Sequence, residues 1–256
     1  MLRSRHTWPL IGLGVVVGGV MALVAFAIDW LPPAAARQAD RHDALLWFVV
    51  IASAVIFTIV CVFLFYSVWR FRVDESEDAD GPPLHGHTKL EIIWTAIPSA
   101  LLAVVVVYSY LVLSSNEAQA KDRMTVQVLS QQFAWHFTYP EAGVTVGDLY
   151  MPVGRQTVLK MTAKDVIHSF YVPEFRLKED TVPGITTQLV INPTKTGTFP
   201  IVCTELCGIG HSLMRSRAIV LSQQDFQAWL EKATRTANSS PAQGAQAQQP
   251  APSPAP

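Results

Sequence analysis

The sequence predicts an α+β membrane protein in which three N-terminal transmembrane helices, a two-helix hairpin plus one additional N-terminal span, precede a small all-β domain. Three observations carry this. Half of the 256 residues are apolar and only 15% are charged, too hydrophobic for a typical soluble domain and too polar for a pure membrane bundle. Three apolar stretches dominate the first 113 residues, and from Asp122 onward the texture changes to short alternating runs. The formal charge of -1 lacks the basic excess that nucleic-acid binding demands, so that class is set aside.

The first stretch, Trp8 to Trp30, is about 33 Å long as a helix and matches the ~30 Å hydrocarbon core of a bilayer. The second, Leu45 to Trp69, and the third, Ile92 to Leu113, contain no charged residue. Trp8 and Trp30 bracket the first span, and Trp69 and Trp94 sit at the facing ends of the others, as interface anchors do. Arg3 and Arg5 precede the first span, while Arg70, Arg72 and Lys89 flank the acidic D-E-S-E-D-A-D-G-P-P loop, which puts both on the cytoplasmic side and the downstream region outside. Arg37 and Arg41 weaken this asymmetry without reversing it. Ala34-Ala35-Ala36 offers a small-residue cleavage site, so residues 1–36 read as either a signal peptide or an anchor; the long apolar run favours the anchor.

Beyond the hairpin (37–118), the runs T-V-Q-V-L, Q-T-V-L-K-M-T, T-T-Q-L-V-I and R-A-I-V-L are separated by Gly, Pro and Asp, the pattern of a small sandwich or barrel over 119–234. Phe226 to Lys232 adds a short closing helix. The Pro/Ala/Gln tail, 235–256, has nothing to bury and is expected to be disordered.

The chemistry concentrates in I-V-C-T-E-L-C-G-I-G-H-S-L-M, Ile201 to Met214. Of the three cysteines, Cys61 lies in an apolar span, where it reads as a small buried hydrophobe. For Cys203 and Cys207 a disulfide and a zinc site are the ordinary readings. Neither explains a methionine seven residues after the second cysteine, whereas thiolate and thioether joined by imidazole select copper. A single-copper site uses one cysteine and two histidines, and this loop has one thiolate too many for it. Two thiolates can bridge two copper ions if a further histidine comes from elsewhere. His6, His85 and His87 are assigned to the cytoplasmic side and His42 to the outer loop, which leaves His136 and His168.

At this point the sequence resembles a known family. V-I-H-S-F-Y-V-P-E-F-R-L-K-E-D-T-V-P-G followed by C-T-E-L-C-G-I-G-H-S-L-M is similar to the subunit II signature of the haem-copper cytochrome c oxidases, and T-K-L-E-I-I-W-T-A-I-P resembles that family's second membrane helix. The resemblance covers about residues 40 to 232 and implies a cupredoxin-like Greek-key β-barrel with a binuclear copper-A centre. Carried over by position, Cys203 and Cys207 bridge both coppers, His168 and Met214 complete one, and His211 with the Glu205 carbonyl completes the other. The Glu205 side chain matches the family's contribution to a magnesium or manganese site shared with the catalytic subunit. Phe133 stands where the family usually has the tryptophan at which electrons enter, and Trp135 matches a second aromatic of that motif; a core role for Phe133 stays open. Glu91 matches the acidic residue at the mouth of a proton path, against the bland reading of a carboxylate at the membrane interface. His85 and His87 read as loop histidines.

The implied function is that of the electron-accepting subunit of a bacterial inner-membrane oxidase, with the copper domain on the periplasmic side. Its implied partners are catalytic subunit I, subunit III, and cytochrome c or another donor. Two coppers sharing two thiolates spread one electron over both metals, and no open coordination position is left for a substrate. Oxygen reduction and coupled proton translocation then belong to the complex. Two alternatives stand beside this: a subunit of a copper-A nitric oxide reductase, and a stand-alone membrane-anchored copper carrier.

Overall fold

The computed structural model describes residues 7–72, 83 and 85–239. Arg3, Arg5, His6, nearly all of the acidic loop and the last part of the tail, 240–256, lie outside the described residues. The chain divides into two compact units, Met1–Trp30 with Asp43–Leu113, and Leu31–His42 with Ser114–Pro256.

The first unit is helical. α1 (Thr7–Ala27), α2 (Arg37–Arg70) and α3 (Thr88–Glu117) contain the three predicted spans, and each is long and apolar enough to cross a membrane. α1 meets α2 at small residues: a Cβ on Gly14 would touch Val62, and one on Gly18 would touch Thr58. Phe26 stacks on Trp47 with ring centroids 5.7 Å apart. Val15, Ile51, Val55, Ile97 and Val106 remain exposed, an apolar surface that suits lipid and not water. α3 begins at a well-made cap. The His87 ring Nδ1 accepts from Leu90 N–H at 3.3 Å, and the Glu91 carboxylate accepts from His87 N–H at 3.1 Å, a variant of the capping box that satisfies two orphan donors.

Among the described residues, the second unit has ten strands in two five-stranded sheets. β1 (Met124–Gln131), β2 (Ala134–Tyr139), β3 (Val144–Val146), β5 (Thr157–Ala163) and β8 (Thr187–Ile191) form one sheet, in the order β3-β2-β1-β5-β8. β4 (Leu149–Pro152), β6 (His168–Val172), β7 (Leu177–Thr181), β9 (Gly197–Cys203) and β10 (Arg215–Leu221) form the other, in the order β4-β10-β9-β6-β7. The β1–β5 and β4–β10 pairs are parallel and the rest antiparallel, so the chain crosses between sheets and does not meander. This is the cupredoxin-like domain. The inward-pointing alternate residues Trp135, Phe137 and Tyr139 of β2 meet Phe170 and Ile201 in a closed core.

Two features differ in extent from expectation. The closing helix, α4, runs over Gln223–Ser239, well beyond Phe226–Lys232. Its start follows from Ser222, whose Oγ accepts from Asp225 N–H at 3.1 Å, and its packing from Trp229, stacked on Tyr150 at 4.0 Å. The segment between α1 and α2 is also no bare linker. Ala35 and Ala36 are buried, Ala35 N–H donates to the Glu174 carbonyl at 2.9 Å, and the Gln38 carboxamide bonds Val190 and Asn192 of the β domain.

Candidate metal centre

Strand pairing assembles the site. β6 and β9 are neighbours with Phe170 opposite Cys203, so His168, two residues before Phe170 and on the same face, lies beside the end of β9. β9 also pairs with β10, and the chain between them is pinched at its neck where Cys203 N–H donates to the Met214 carbonyl at 3.2 Å. Residues 204–214 therefore form a closed loop whose two ends are fixed by sheet. Its single helical turn, His211–Leu213, turns the imidazole of His211 back toward Cys207.

The donor atoms converge. Cys203 Sγ and Cys207 Sγ lie 3.9 Å apart, Cys207 Sγ is 3.5 Å from His211 Nδ1 and 3.9 Å from Met214 Sδ, and Cys203 Sγ is 3.3 Å from the Glu205 carbonyl oxygen. His168, Cys203 and Cys207 each bring a ligand atom within 4.8 Å of the others. A disulfide needs a sulfur separation of about 2.05 Å, so the cysteines are not bonded to each other. His168, Cys203, Cys207 and Met214 are all buried, and Met214 is fully so.

The tautomer of His168 follows from its partners. Its Nε2 lies 2.8 Å from Asp165 Oδ1. Burial pushes the Asp165 carboxyl up, but the Gln132 N–H, the His168 ring and the Val166 N–H outweigh it and hold that carboxyl at about 2, below the ordinary range. An ionised carboxylate accepts only, so Nε2 carries the proton and donates. Nδ1 is the ring nitrogen that remains, buried and without a hydrogen-bond partner. A buried acceptor in that state costs free energy unless something binds it. Together with two soft thiols and a thioether, it makes the donor set one that fits copper. Burial, with Cys203 alongside, pushes the Cys207 thiol up to about 11.

The remaining predicted residues fall into place unevenly. Phe133, in the turn between β1 and β2, is half-exposed at 39% and lies against Gly208 and Gly210 of the loop. Trp135 is buried inside the sandwich, edge-on to Phe170 at 5.8 Å and to His168 at 6.3 Å, so it presents no surface to an outside partner. His136 lies on β2 with its ring 3.2 Å from the Gln131 carboxamide. Glu91 is exposed and caps α3 as described.

Two residues of the site go unrecognised in sequence. Asp165 is not picked out there, yet it orients His168. Its signal is the Asp-x-x-His spacing, which brings a carboxylate to the ring's far nitrogen. Gln132 donates through its side chain to the Cys207 carbonyl and through its backbone N–H to Asp165 at 2.8 Å, contacts that no local spacing discloses.

Residues 145–222 match the family described as "Cytochrome C oxidase subunit II, periplasmic domain", and residues 22–112 match "Cytochrome C oxidase subunit II, transmembrane domain". Cytochrome c oxidase subunit 2 of Synechocystis sp. is 30% identical over 265 residues, covering 85% of this chain and 80% of its own length. The corresponding protein of Thermostichus vulcanus is 32% identical over 275 residues, covering 87% and 84%. Among solved structures, the periplasmic domain of subunit II of cytochrome oxidase from Bradyrhizobium japonicum is 27% identical, covers 46% of this chain and 97% of that one, and superposes with a TM-score of 0.44.

Proposed function

The chain belongs to the cytochrome c oxidase subunit II family, and from that premise we propose that its outer domain accepts electrons at a binuclear copper-A centre and delivers them to haem in the catalytic subunit. As a member of that family it is a component of a membrane-bound oxidase complex, with the copper domain outside the membrane. In our reading Cys203 and Cys207 bridge two copper ions, His168 and Met214 complete one, and His211 with the Glu205 carbonyl completes the other. When bound, such a pair takes up and passes on one electron with little change in its bonds.

The observation that carries this reading is the grouping of two unbonded thiols 3.9 Å apart with Met214 Sδ and two imidazoles. The protein's own part is to hold these atoms rigid and dry. Asp165 fixes the His168 ring, the strand neck fixes Cys203 and Met214, and burial keeps water from the sulfurs. Oxygen reduction and proton translocation then occur with subunit I, and subunit III completes the complex.

Electrons enter beside Phe133, from cytochrome c or another donor. Leu206, Ile209 and Leu213 stand exposed on the same loop and suit an apolar contact with such a partner. The Glu205 side chain is exposed while its carbonyl faces Cys203, which leaves the carboxylate available to a magnesium or manganese ion at the boundary with subunit I.

The test is metal content with electron paramagnetic resonance on the copper-loaded chain. Two coppers and a seven-line hyperfine pattern are expected, and Cys203→Ser or Cys207→Ser should abolish both. One copper with a four-line pattern, or two coppers retained in either serine variant, would overturn the assignment.

A further inference from the structure

We propose that Gln132 and Phe133 are positioning residues for the metal loop: a two-residue latch on one sheet that holds the Cys207–His211 segment, carried by the other sheet, in its ligating shape. The inference rests on the metal-centre reading above and adds to it how the loop keeps its form.

Gln132 touches both segments that bear ligands. Its side-chain amide donates to the Cys207 carbonyl, while its backbone N–H donates to Asp165 Oδ2 at 2.8 Å. The other oxygen of the same carboxylate holds His168 Nε2, also at 2.8 Å. One residue therefore ties the cysteine loop to the histidine strand through three hydrogen bonds in series.

Phe133 supplies the shape. Its ring lies so close over Gly210 that a Cβ there would run into the ring edge. At Gly208, a Cβ would stand 2.9 Å from Gln132 Nε2 and 3.2 Å from Phe133 Cζ, and the backbone sits at φ +129, a region L side chains rarely adopt. The two loop glycines are thus the complement of this turn: small because the latch occupies the space their side chains would fill. At 39% exposure, Phe133 gains only part of the burial free energy a core phenylalanine would. Its ring lies against two glycines of the loop, which is what a shaping role requires. The residue at which electrons enter is then also a residue that sets the geometry the electron meets.

The prediction concerns the site, not the fold. In the full-length chain, purified in detergent and loaded with copper, Gln132→Met keeps length and removes the donor. Gly210→Ala forces the ring aside, and Phe133→Leu removes the flat cover. Each should speed copper loss to a chelator by about 10- to 100-fold, the usual effect of removing an outer support of a metal site. Each should also shift the reduction potential and broaden the seven-line pattern toward four lines, as the electron localises on one copper, with the melting temperature little changed. Wild-type spectra, potentials and copper retention in all three variants would overturn the latch. Failure of the wild type itself to take up two coppers would instead sink the metal-centre reading, so the two failures are told apart in one experiment.

Discussion

The hydrogen bond between Asp165 and His168 Nε2, at 2.8 Å, decides which nitrogen of His168 faces the cysteines. It leaves Nδ1 as the ring nitrogen without a hydrogen-bond partner, buried, in a residue whose ligand atom lies within 4.8 Å of those of Cys203 and Cys207. A carboxylate three residues upstream thereby sets the tautomer before any metal arrives, and the site is preorganised on its histidine side.

The Cys207 thiol is not deprotonated in advance. Burial and the neighbouring Cys203 push the Cys207 thiol up to about 11, so near neutrality it carries its proton. A sulfur ligand to copper must be a thiolate, so copper binding at Cys207 would expel that proton at any pH below about 11. The sign follows: copper affinity should rise with pH, by about tenfold per pH unit for this one proton, and fall on acidification. Competition titrations against a copper buffer between about pH 6 and pH 8 measure the slope. A flat profile would show that the thiol is already ionised in the metal-free protein.

Met214 tests the division between holding and tuning. Its Sδ lies 3.9 Å from Cys207 Sγ, and the side chain is fully buried. Met214→Leu conserves volume, so the fold should lose less than about 1.5 kcal/mol. If Met214 is a weak thioether ligand of the proposed centre, replacing it with leucine should leave the copper in place and shift the reduction potential. Spectroelectrochemical titration reads the shift; loss of copper instead would make Met214 a holding ligand.

What the sequence disclosed follows the range of the signal. Spans longer than a bilayer, alternating strands such as T-V-Q-V-L and the C-x-x-x-C-x-x-x-H-x-x-M spacing are local patterns, and each lies in the expected element or loop. His168 is reached through the family resemblance of V-I-H-S-F, elimination alone leaving it beside His136, but its orientation depends on Asp165, whose only local mark is the Asp-x-x-His spacing that Asp148, paired with Arg217 on the surface, lacks. Gln132 and the seat of Phe133 on Gly208 and Gly210 join two sheets, and contacts between elements leave no period to read. Phe133 also shows a consequence. Were Phe133 only a point of electron entry, Phe133→Ala would slow reduction by the donor and leave the spectrum alone; the ring's seat on two loop glycines makes a changed spectrum the expectation.

Glu91 carries two roles that one pair of substitutions separates. Its carboxylate accepts the His87 N–H at 3.1 Å and closes the first turn of α3. Its proposed part in a proton path needs a group that can lose and regain a proton. Glu91→Gln keeps an acceptor for the cap and removes the titration, whereas Glu91→Ala removes both. If the path reading is right, both variants slow proton-coupled turnover of the purified complex. If only Ala does, Glu91 is a cap, worth about 0.5–2 kcal/mol to the helix start.

The segment around Ala34–Ala36 yields a prediction about processing. Read as sequence, A-A-A is a signal-peptidase site; in the structure it is a strap built into the outer domain. Ala35 N–H donates to the Glu174 carbonyl and Ala35 C=O accepts from Thr194 N–H, each at 2.9 Å, and Ala36 pairs with Pro193. Both alanines are buried, and Pro32 C=O accepts from the Arg176 guanidinium at 2.6 Å. Cutting after Ala36 would strip these bonds from the domain and detach α1, whose Gly14 and Gly18 pack against α2. The first helix is therefore expected to be retained. A digest of the purified complex should contain a peptide running through the Ala36–Arg37 bond, and a mature chain beginning at Arg37 would refute this. Burial makes a second prediction independent of processing. Ala36→Leu places three extra carbons where none fit and should destabilise the outer domain by about 1–3 kcal/mol in denaturant unfolding. An unchanged midpoint would mean that the strap rests on the surface and that its small residues are there for the peptidase.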